Sequence, residues 1–496
     1  MRAALNVRIG TARITALVAI CIVACVSLDA RAGDAQKTLH VAFPVAESGF
    51  DPQALNDTYS DAVCLGIFDP LYRYDYFARP VVLEPNTADG LPEISDGGRT
   101  YTIRVKRGIY FAEDPAFGGK RRELTAHDYV YSIKRVFDPK VRSYWLYLFE
   151  RTLVGLDAIL ERARKSGRFD YDEPIEGVQA LDRYTLRLRF KEPAYEFRWW
   201  LTTSNFAAVA REVVEKYQDE SHRAMDHPVG TGPYRLKSWT RGQRIVLEAN
   251  PGFRNETYPR PGRDPGDIAI ARGLTGRRLP LTGTIDIAII EEAQPRLLAF
   301  DRGALDHVSV PASLAPTVLD DDKLKPALAQ RGVVLHRQAD PSLGFFFFNL
   351  DDPVVGGYEP AKIALRRAVS LAYDRDGAIR QLSNGQAVPA DQPVPPGLFG
   401  HAASVGVKTP FDPAAARALL DRFGYKDRDG DGYRETPEGK PLTIAKGSTT
   451  DATARASDEL WKRNMDAIGV RIRFVKNKWP ELNKMTEAGQ MMMWGL

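Results

Sequence analysis

Two glycines and a proline at one sharp turn constrain this chain more than any other feature. Val229-Gly230-Thr231-Gly232-Pro233 runs directly into Tyr234-Arg235-Leu236-Lys237-Ser238-Trp239. The glycines permit backbone angles closed to other residues and Pro233 fixes its own φ, so a turn delivers the chain into an extended segment. There Tyr234, Leu236 and Ser238 alternate with Arg235, Lys237 and Trp239, the period of a strand. Thr240-Arg241-Gly242-Gln243 then turns, and Ile245-Val246-Leu247 returns as a second strand. Taken alone, the pattern predicts a hairpin with a tight approach and carries no functional information.

At 496 residues the chain is too long for one core and predicts two or three domains. Strands and helices alternate along it, which argues for α/β lobes. Thr38 to Phe43 reads as a strand, Asp61 to Phe68 as a helix, and Thr100 to Arg107 as a half-buried strand with Tyr101, Ile103 and Val105 on one face. Thr125-Ala126-His127-Asp128 fits a capping box opening a helix through Phe137, stopped by Asp138-Pro139; His127 should face solvent. Thr185 to Phe190 alternates as another strand. Leu365, Ala368, Val369, Ala372 and Tyr373 form a helical apolar stripe. Asp412 and Pro413 open a helix that buries Leu419, Leu420 and Phe423 and ends at Gly424. Asp451 opens another, with Leu460, Trp461, Met465 and Ile468 inward and Gly469 at its end; Val470, Ile472 and Phe474 follow as a strand. The Arg-, Pro- and Gly-rich stretch from Asn255 to Gly283 reads as a long irregular loop. Met491 to Leu496 is apolar and reads as a strand that stops partway, so the chain is expected to be a fragment or truncated product.

Charged residues make up 27% and hydrophobic residues 44% of the chain, ordinary for a soluble globular protein. Three of the four net positive charges lie in the first 32 residues, and the near-neutral remainder argues against nucleic acid as a partner. Those first residues have the form of a secretory signal peptide. Arg2, Arg8 and Arg13 precede an apolar run from Ile14 to Leu28, too short for a comfortable membrane span. Ala30-Arg31-Ala32 offers a small-x-small cleavage site after a polar stretch. Ile22-Val23-Ala24-Cys25 resembles a lipobox and leaves a lipoprotein anchored at Cys25 as the alternative. Cleavage after Ala32 leaves Cys64 as the sole cysteine, without a disulfide partner and in an apolar context that predicts burial.

Catalytic signatures are missing from the sequence. There is no phosphate-binding glycine loop, no His-Glu-x-x-His and no Gly-x-Ser-x-Gly, so no catalytic residue is assigned and an enzyme is not expected. Asp427-x-Asp429-x-Asp431-Gly432 with Glu438 satisfies a calcium-loop pattern, because alternate carboxylates, a turn glycine and a distal glutamate can build an oxygen cage. Its exit reads as a strand from Lys440 to Ala445, and Pro437 breaks the second helix that such a loop needs, so an acidic turn is preferred and no metal or other cofactor is assigned. The run Phe345 to Leu350 reads as a strand, either buried on both faces of a parallel sheet or with one face lining a ligand cleft.

An ordered set of motifs resembles family 5 of the bacterial extracellular solute-binding proteins. Leu65-Gly66-Ile67-Phe68-Asp69-Pro70-Leu71-Tyr72, Tyr101 to Phe111, and Leu124 to Arg135 come first. The Gly230 hairpin, Gly303-Ala304-Leu305-Asp306, Phe348-Asn349-Leu350, Arg366 to Arg375, Asn384-Gly385-Gln386-Ala387 and Asp412 to Tyr425 follow. The acidic turn Asp429-Gly430-Asp431-Gly432 also resembles a family turn. The resemblance covers nearly everything after residue 36 and implies a two-lobed periplasmic-binding-protein fold of the large peptide-binding type. Its implied parts are a signal peptide (1–32), first-lobe segments (33–68 and 194–310), an extra first-lobe subdomain (69–193) and an incomplete second lobe (311–496) lacking its end and the hinge return. It implies a monomeric periplasmic receptor of an ABC importer that captures a peptide or related solute between its lobes by hinge closure and delivers it to membrane permease subunits. Carried over by position, Asn56, Asp57, Thr58 and Tyr59 should face the ligand from the first lobe, and Phe347, Phe348 and Asn349 from the second. Trp479 falls where peptide-binding members have an aromatic pocket wall, with core packing as the alternative. The aspartate that anchors a peptide's ammonium in those members would lie beyond Leu496, so weak peptide binding and a poorly stable second lobe are expected if the chain ends there. The alternatives are the same fold serving heme, nickel chelate, opine or oligosaccharide, and a calcium-dependent structural module built on residues 427–438.

Overall fold

The computed structural model describes residues 34–337, 340–398, 400–450 and 452–495. The readings of a signal peptide and of Cys25, of Asp451 as a helix start and of Leu496 lie outside these residues. The chain divides into two compact units, Met1–Val308 and Ser309–Leu496. No helix among the described residues is long and apolar enough to cross a membrane.

In the first unit, β1 (Asp34–Phe43) leads through a tight loop to α1 (Thr58–Ile67). The helix starts ahead of Asp61 because Asp57 caps it, accepting a hydrogen bond from the Ser60 amide at 2.7 Å. A hairpin, β2 (Tyr72–Tyr74) and β3 (Leu83–Pro85), opens the next part. It is followed by β4 (Glu93–Ser95), β5 (Thr100–Arg104), α2 (Ala126–Phe137), β6 (Val178–Asp182) and β7 (Thr185–Arg189). These last strands form one antiparallel sheet in the order β4-β5-β7-β6. Its inward residues, Tyr101, Ile103, Leu186 and Leu188, pack with Tyr129, Ile133 and Phe137 of α2 in one core. At the start of α2 the Asp128 carboxylate accepts from the Thr125 amide at 2.8 Å and from its hydroxyl at 2.9 Å, and His127 is exposed.

The chain then forms β8 (Tyr234–Thr240), β9 (Arg244–Ala249), α3 (Pro265–Ala271) and β10 (Thr282–Ile289). The second sheet runs β1-β10-β9-β8, with β1 parallel to β10 and the remaining pairs antiparallel. Two expectations about this region need correction. Neither Gly230 nor Gly232 has a positive φ. Glycine is required there because a Cβ on Gly230 would lie 2.1 Å, and one on Gly232 2.6 Å, from the carbonyl oxygen of Ile67 at the end of α1. Gly232 also donates its amide to that oxygen at 2.8 Å. The strict alternation through Trp239 fails too. The register shifts between Leu236 and Ser238, so Trp239 rather than Ser238 joins Tyr234 and Leu236 against the core. Cys64 lies in that core as a free, fully buried thiol.

The stretch 255–283 is not irregular throughout. Asp264 and Pro265 start α3, with the Asp264 carboxylate accepting from the Asp267 amide at 3.0 Å. On its flanks the Tyr258 amide donates to Arg277 and the Leu279 amide to Glu256, each at 2.8 Å. An N-cap followed by proline is a helix-start signal, here obscured by the density of Pro and Gly around it.

The second unit contains β11 (Phe346–Phe348), α4 (Pro360–Ala372), α5 (Pro413–Arg422), β12 (Thr443–Ser448), α6 (Ala452–Asp466), β13 (Arg471–Lys476), α7 (Trp479–Glu487) and β14 (Met493–Gly495). Its sheet has the order β11-β14-β12-β13, with β12 and β13 parallel. One core gathers Leu365, Ala368 and Val369 of α4, Leu420 of α5, Ile444 of β12, and Trp461 and Met465 of α6. Among the described residues the phenylalanine run is an edge strand paired with β14 alone, and Phe345 and Phe346 are exposed, so it is not buried on both faces.

Candidate functional site

In the first unit the segment before α1 is held by buried polar groups. The Asp51 carboxylate pairs with the fully buried Arg135 of α2 and accepts from the Ala224 amide at 2.8 Å. Gln53 donates to the carbonyls of Asn205 and Ala207. The carbonyl of Leu55 accepts from Asn205 Nδ2 at 3.1 Å and from Trp145 Nε1 at 2.8 Å. These bonds fix the backbone that carries the four candidates. Asn56 and Thr58 leave their side chains exposed. Tyr59 is half-buried, its ring 5.0 Å from Phe43. Asp57 is engaged as the helix cap and also accepts from Ser48 Oγ at 2.5 Å, which makes it a positioning group for its neighbours.

The Trp145 bond brings in two side chains that sequence reading missed. Tyr144 and Tyr147 lie on the same helical turn, 61% and 52% exposed, with ring centroids 5.8 Å apart. The density of aromatic residues in Tyr144-Trp145-Leu146-Tyr147 was the available signal.

In the second unit, Phe347 lies opposite Trp494 across the β11–β14 pair, and the Trp494 ring is 6.0 Å from Trp479. Phe347 and Phe348 are half-buried. Phe346 stands edge-on to Trp461 at 4.9 Å, with the Lys446 ammonium 5.4 Å from its centroid. Burial of Lys446 pulls its pKa below the ordinary lysine range, opposed by the nearby Asp458 carboxylate. Asn349 is a turn residue: its Nδ2 donates to the carbonyl of Gly489 at 3.0 Å and its Oδ1 accepts from the Asp351 amide at 3.0 Å. Trp479, at the start of α7, is 53% exposed, which removes core packing as its explanation.

The acidic loop bonds chiefly to its own backbone. Asp427 accepts from the amides of Gly430 and Gly432, Asp429 from Asp431, and Asp431 from Tyr433 while pairing with Arg471. Asp427 and Asp429 approach Glu435, not Glu438, and the chain continues into β12 rather than a helix. This is the geometry of a capped turn. Three histidines meet carboxylates: His40 with Asp306, His222 with Asp138 and His227 with Asp114. The other ring nitrogen of His222 faces Lys140, and the His227 ring stacks on Tyr217 at 3.6 Å.

Two compact α/β units are what a two-lobed binding-protein fold requires, and solved structures agree on the fold. DppA of Helicobacter pylori in complex with the peptide STSA matches with a TM-score of 0.66 at 19% identity, over 94% of this chain and 78% of that one. NikA of Brucella suis in complex with Fe(III)-EDTA matches with a TM-score of 0.68 at 19% identity, over 92% and 78%. Residues 82–496 match the family described as bacterial extracellular solute-binding proteins, family 5, and the chain belongs to that family. Among curated relatives, the oligopeptide-binding protein OppA of Bacillus subtilis is 23% identical over 444 residues, 89% of this chain and 71% of the relative. Di/tripeptide-binding protein 2 of Pseudomonas aeruginosa is 23% identical over 457 residues, 92% and 74%. The family is one of solute binding rather than of catalysis.

Proposed function

We propose that this chain is the solute-binding component of an ABC importer and that its solute is a short peptide. Family membership carries the reading, together with two relatives named for oligopeptides and for di- and tripeptides. The open edge of β11 supports it, because an extended peptide can be held there by main-chain hydrogen bonds with little demand on its sequence. Asn56, Thr58, Tyr59, Phe347 and Trp479 would contact the solute, while Asp57 and Asn349 hold backbone. Phe348 would support the strand from behind. In this reading the protein works as a monomer outside the cytoplasmic membrane, closes on its solute, passes it to permease subunits and catalyses no reaction. A metal chelate is the second reading, favoured by the likeness to NikA with its bound Fe(III)-EDTA.

Thermal unfolding with di-, tri- and oligopeptide mixtures, and separately with a metal chelate, tests both. A ligand at about a hundred times its Kd adds about 2.7 kcal/mol, a shift of several degrees. Peptides should produce that shift, and Trp479→Ala should weaken it about tenfold in affinity while leaving the unliganded Tm unchanged. A shift with the chelate and none with any peptide would overturn the peptide assignment.

A further inference from the structure

We propose that the surface built from the hairpin at residues 72–85 and the 255–283 segment docks on an anionic lipid surface. The two pieces are distant in sequence and joined in space. Arg79 pairs with the buried Asp267 of α3 at 2.6 Å, and Arg73 pairs with Glu256. The Tyr76 and Phe77 rings each pack edge-on to Tyr258, with centroids 6.1 and 6.2 Å away. Tyr258 is in turn hydrogen-bonded to Arg277 through the backbone.

Large apolar side chains on this surface are left in water. Tyr76 is 67% and Ile270 57% exposed, and Tyr74, Val81, Val82 and Ile268 are also exposed. Such a cluster on a soluble protein marks a contact surface. Its charge identifies the partner. Arg260, Arg263, Arg272 and Arg277 are exposed and make no side-chain ion pair among the described residues. The carboxylates nearby are committed: Asp264 caps α3, Asp267 holds Arg79, Glu256 holds Arg73 and Arg254, and Glu84 holds Arg73. Asp75 accepts from the amides of Phe77 and Ala78 in the hairpin tip. Asp75 and Asp264 keep their charge while they cap, and over residues 72–85 and 255–283 seven arginines stand against five carboxylates, so the surface is net positive by two.

Apolar groups at a hairpin tip and on a seven-residue helix, interleaved with arginine, suit the headgroup layer of a membrane. Tyrosine, isoleucine and valine can enter the boundary of headgroups and acyl chains while guanidinium groups hold phosphate. A receptor that delivers solute to a membrane permease gains from such a contact, since it restricts the search to the plane of the membrane. The inference stands on this surface alone and does not depend on which solute is carried.

Co-sedimentation of the full chain with vesicles of equal parts phosphatidylcholine and phosphatidylglycerol tests it, with phosphatidylcholine alone as the control. Binding should need phosphatidylglycerol and weaken with added salt. Each arginine near an anionic surface contributes about fivefold in partition, so Arg263→Gln/Arg272→Gln/Arg277→Gln should lose about a hundredfold. Tyr76→Ser/Ile270→Ser should lose affinity at constant salt dependence. All five side chains are exposed, and circular dichroism melting establishes that both variants fold. Residues 1–33 carry an apolar run that can partition into either vesicle by itself, so the quantity compared between wild type and variants is the increment that phosphatidylglycerol adds over phosphatidylcholine alone. Equal binding to both vesicle types, unchanged binding by the arginine variant, or capture of an acidic protein with no vesicle binding would each overturn the proposal.

Discussion

Gly230 and Gly232 show what a residue pattern can and cannot carry. Their importance was legible in the sequence, but the reason was not, because the atom that excludes a side chain is the carbonyl oxygen of Ile67, in a distant part of the chain. The two causes predict different costs. Gly242 has a φ of +67 with open space around its missing Cβ, so Gly242→Ala should cost about 1 kcal/mol through backbone strain alone. Gly230→Ala must push apart two packed backbones and should cost about 3 kcal/mol or more. Urea unfolding followed by circular dichroism separates them, and equal costs would mean that close approach is not what keeps Gly230. Asp57 and Asn349 teach the same lesson at the candidate site. Position suggested solute contacts for both, and the geometry shows each already holding backbone. Trp479 was ambiguous between core and pocket wall because the sequence places an aromatic residue there without showing how much of it is exposed.

At the scale of elements, the sequence was most readable where caps and periodicity are local. The starts of α2 and α5 followed from Thr125-x-x-Asp128 and from Asp412-Pro413. It was least readable where the answer depends on sheet position. A run of four phenylalanines looks like a central strand, and only pairing with β14 alone makes it an edge. The bulge in β8 likewise depends on where β9 lies. Across that sheet Arg244 donates two hydrogen bonds to Asp286, at 2.7 and 2.5 Å. These bonds hold the Asp286 carboxyl below the usual carboxylate range, against a smaller opposing effect of burial, and His40 adds to them. A carboxylate with a depressed folded-state pKa adds stability above its unfolded value, and that stability is lost as pH falls through the folded value. Asp286→Asn should therefore cost about 0.5–1 kcal/mol at neutral pH, small because Arg244 is well exposed. The difference from wild type should vanish well below pH of about 4, where both side chains are neutral. Urea midpoints across that range decide it, and a difference that persists in acid would mean that Asp286 acts through packing.

At the scale of the molecule, the described residues form two cores in the first unit and one in the second. The first unit is also tied through charge. Arg135 and Asp51 are both buried and join the loop before α1, helix α2 and the 222–224 turn. Removing one partner strands the other in a dry site, so Asp51→Asn should cost about 3–5 kcal/mol, a loss confined to the first unit. The second unit offers the complementary perturbation. Ile444 is fully buried in its core, and Ile444→Ala should cost about 2–4 kcal/mol there. Hydrogen exchange reports the units separately, through the amides of Thr282–Ile289 in the first and of Thr443–Ser448 in the second. Without solute, Ile444→Ala should raise exchange in Thr443–Ser448 and leave Thr282–Ile289 unchanged, because each unit rests on its own core. A solute that contacts both units stabilises only the state in which both are folded, so opening either one forfeits its binding energy. Saturating peptide should then protect both segments together, by about 2.7 kcal/mol at a hundred times Kd, and should protect the second unit of Ile444→Ala as well. Protection confined to one segment would show that the solute engages a single unit, and capture by closure would have to be given up for this chain.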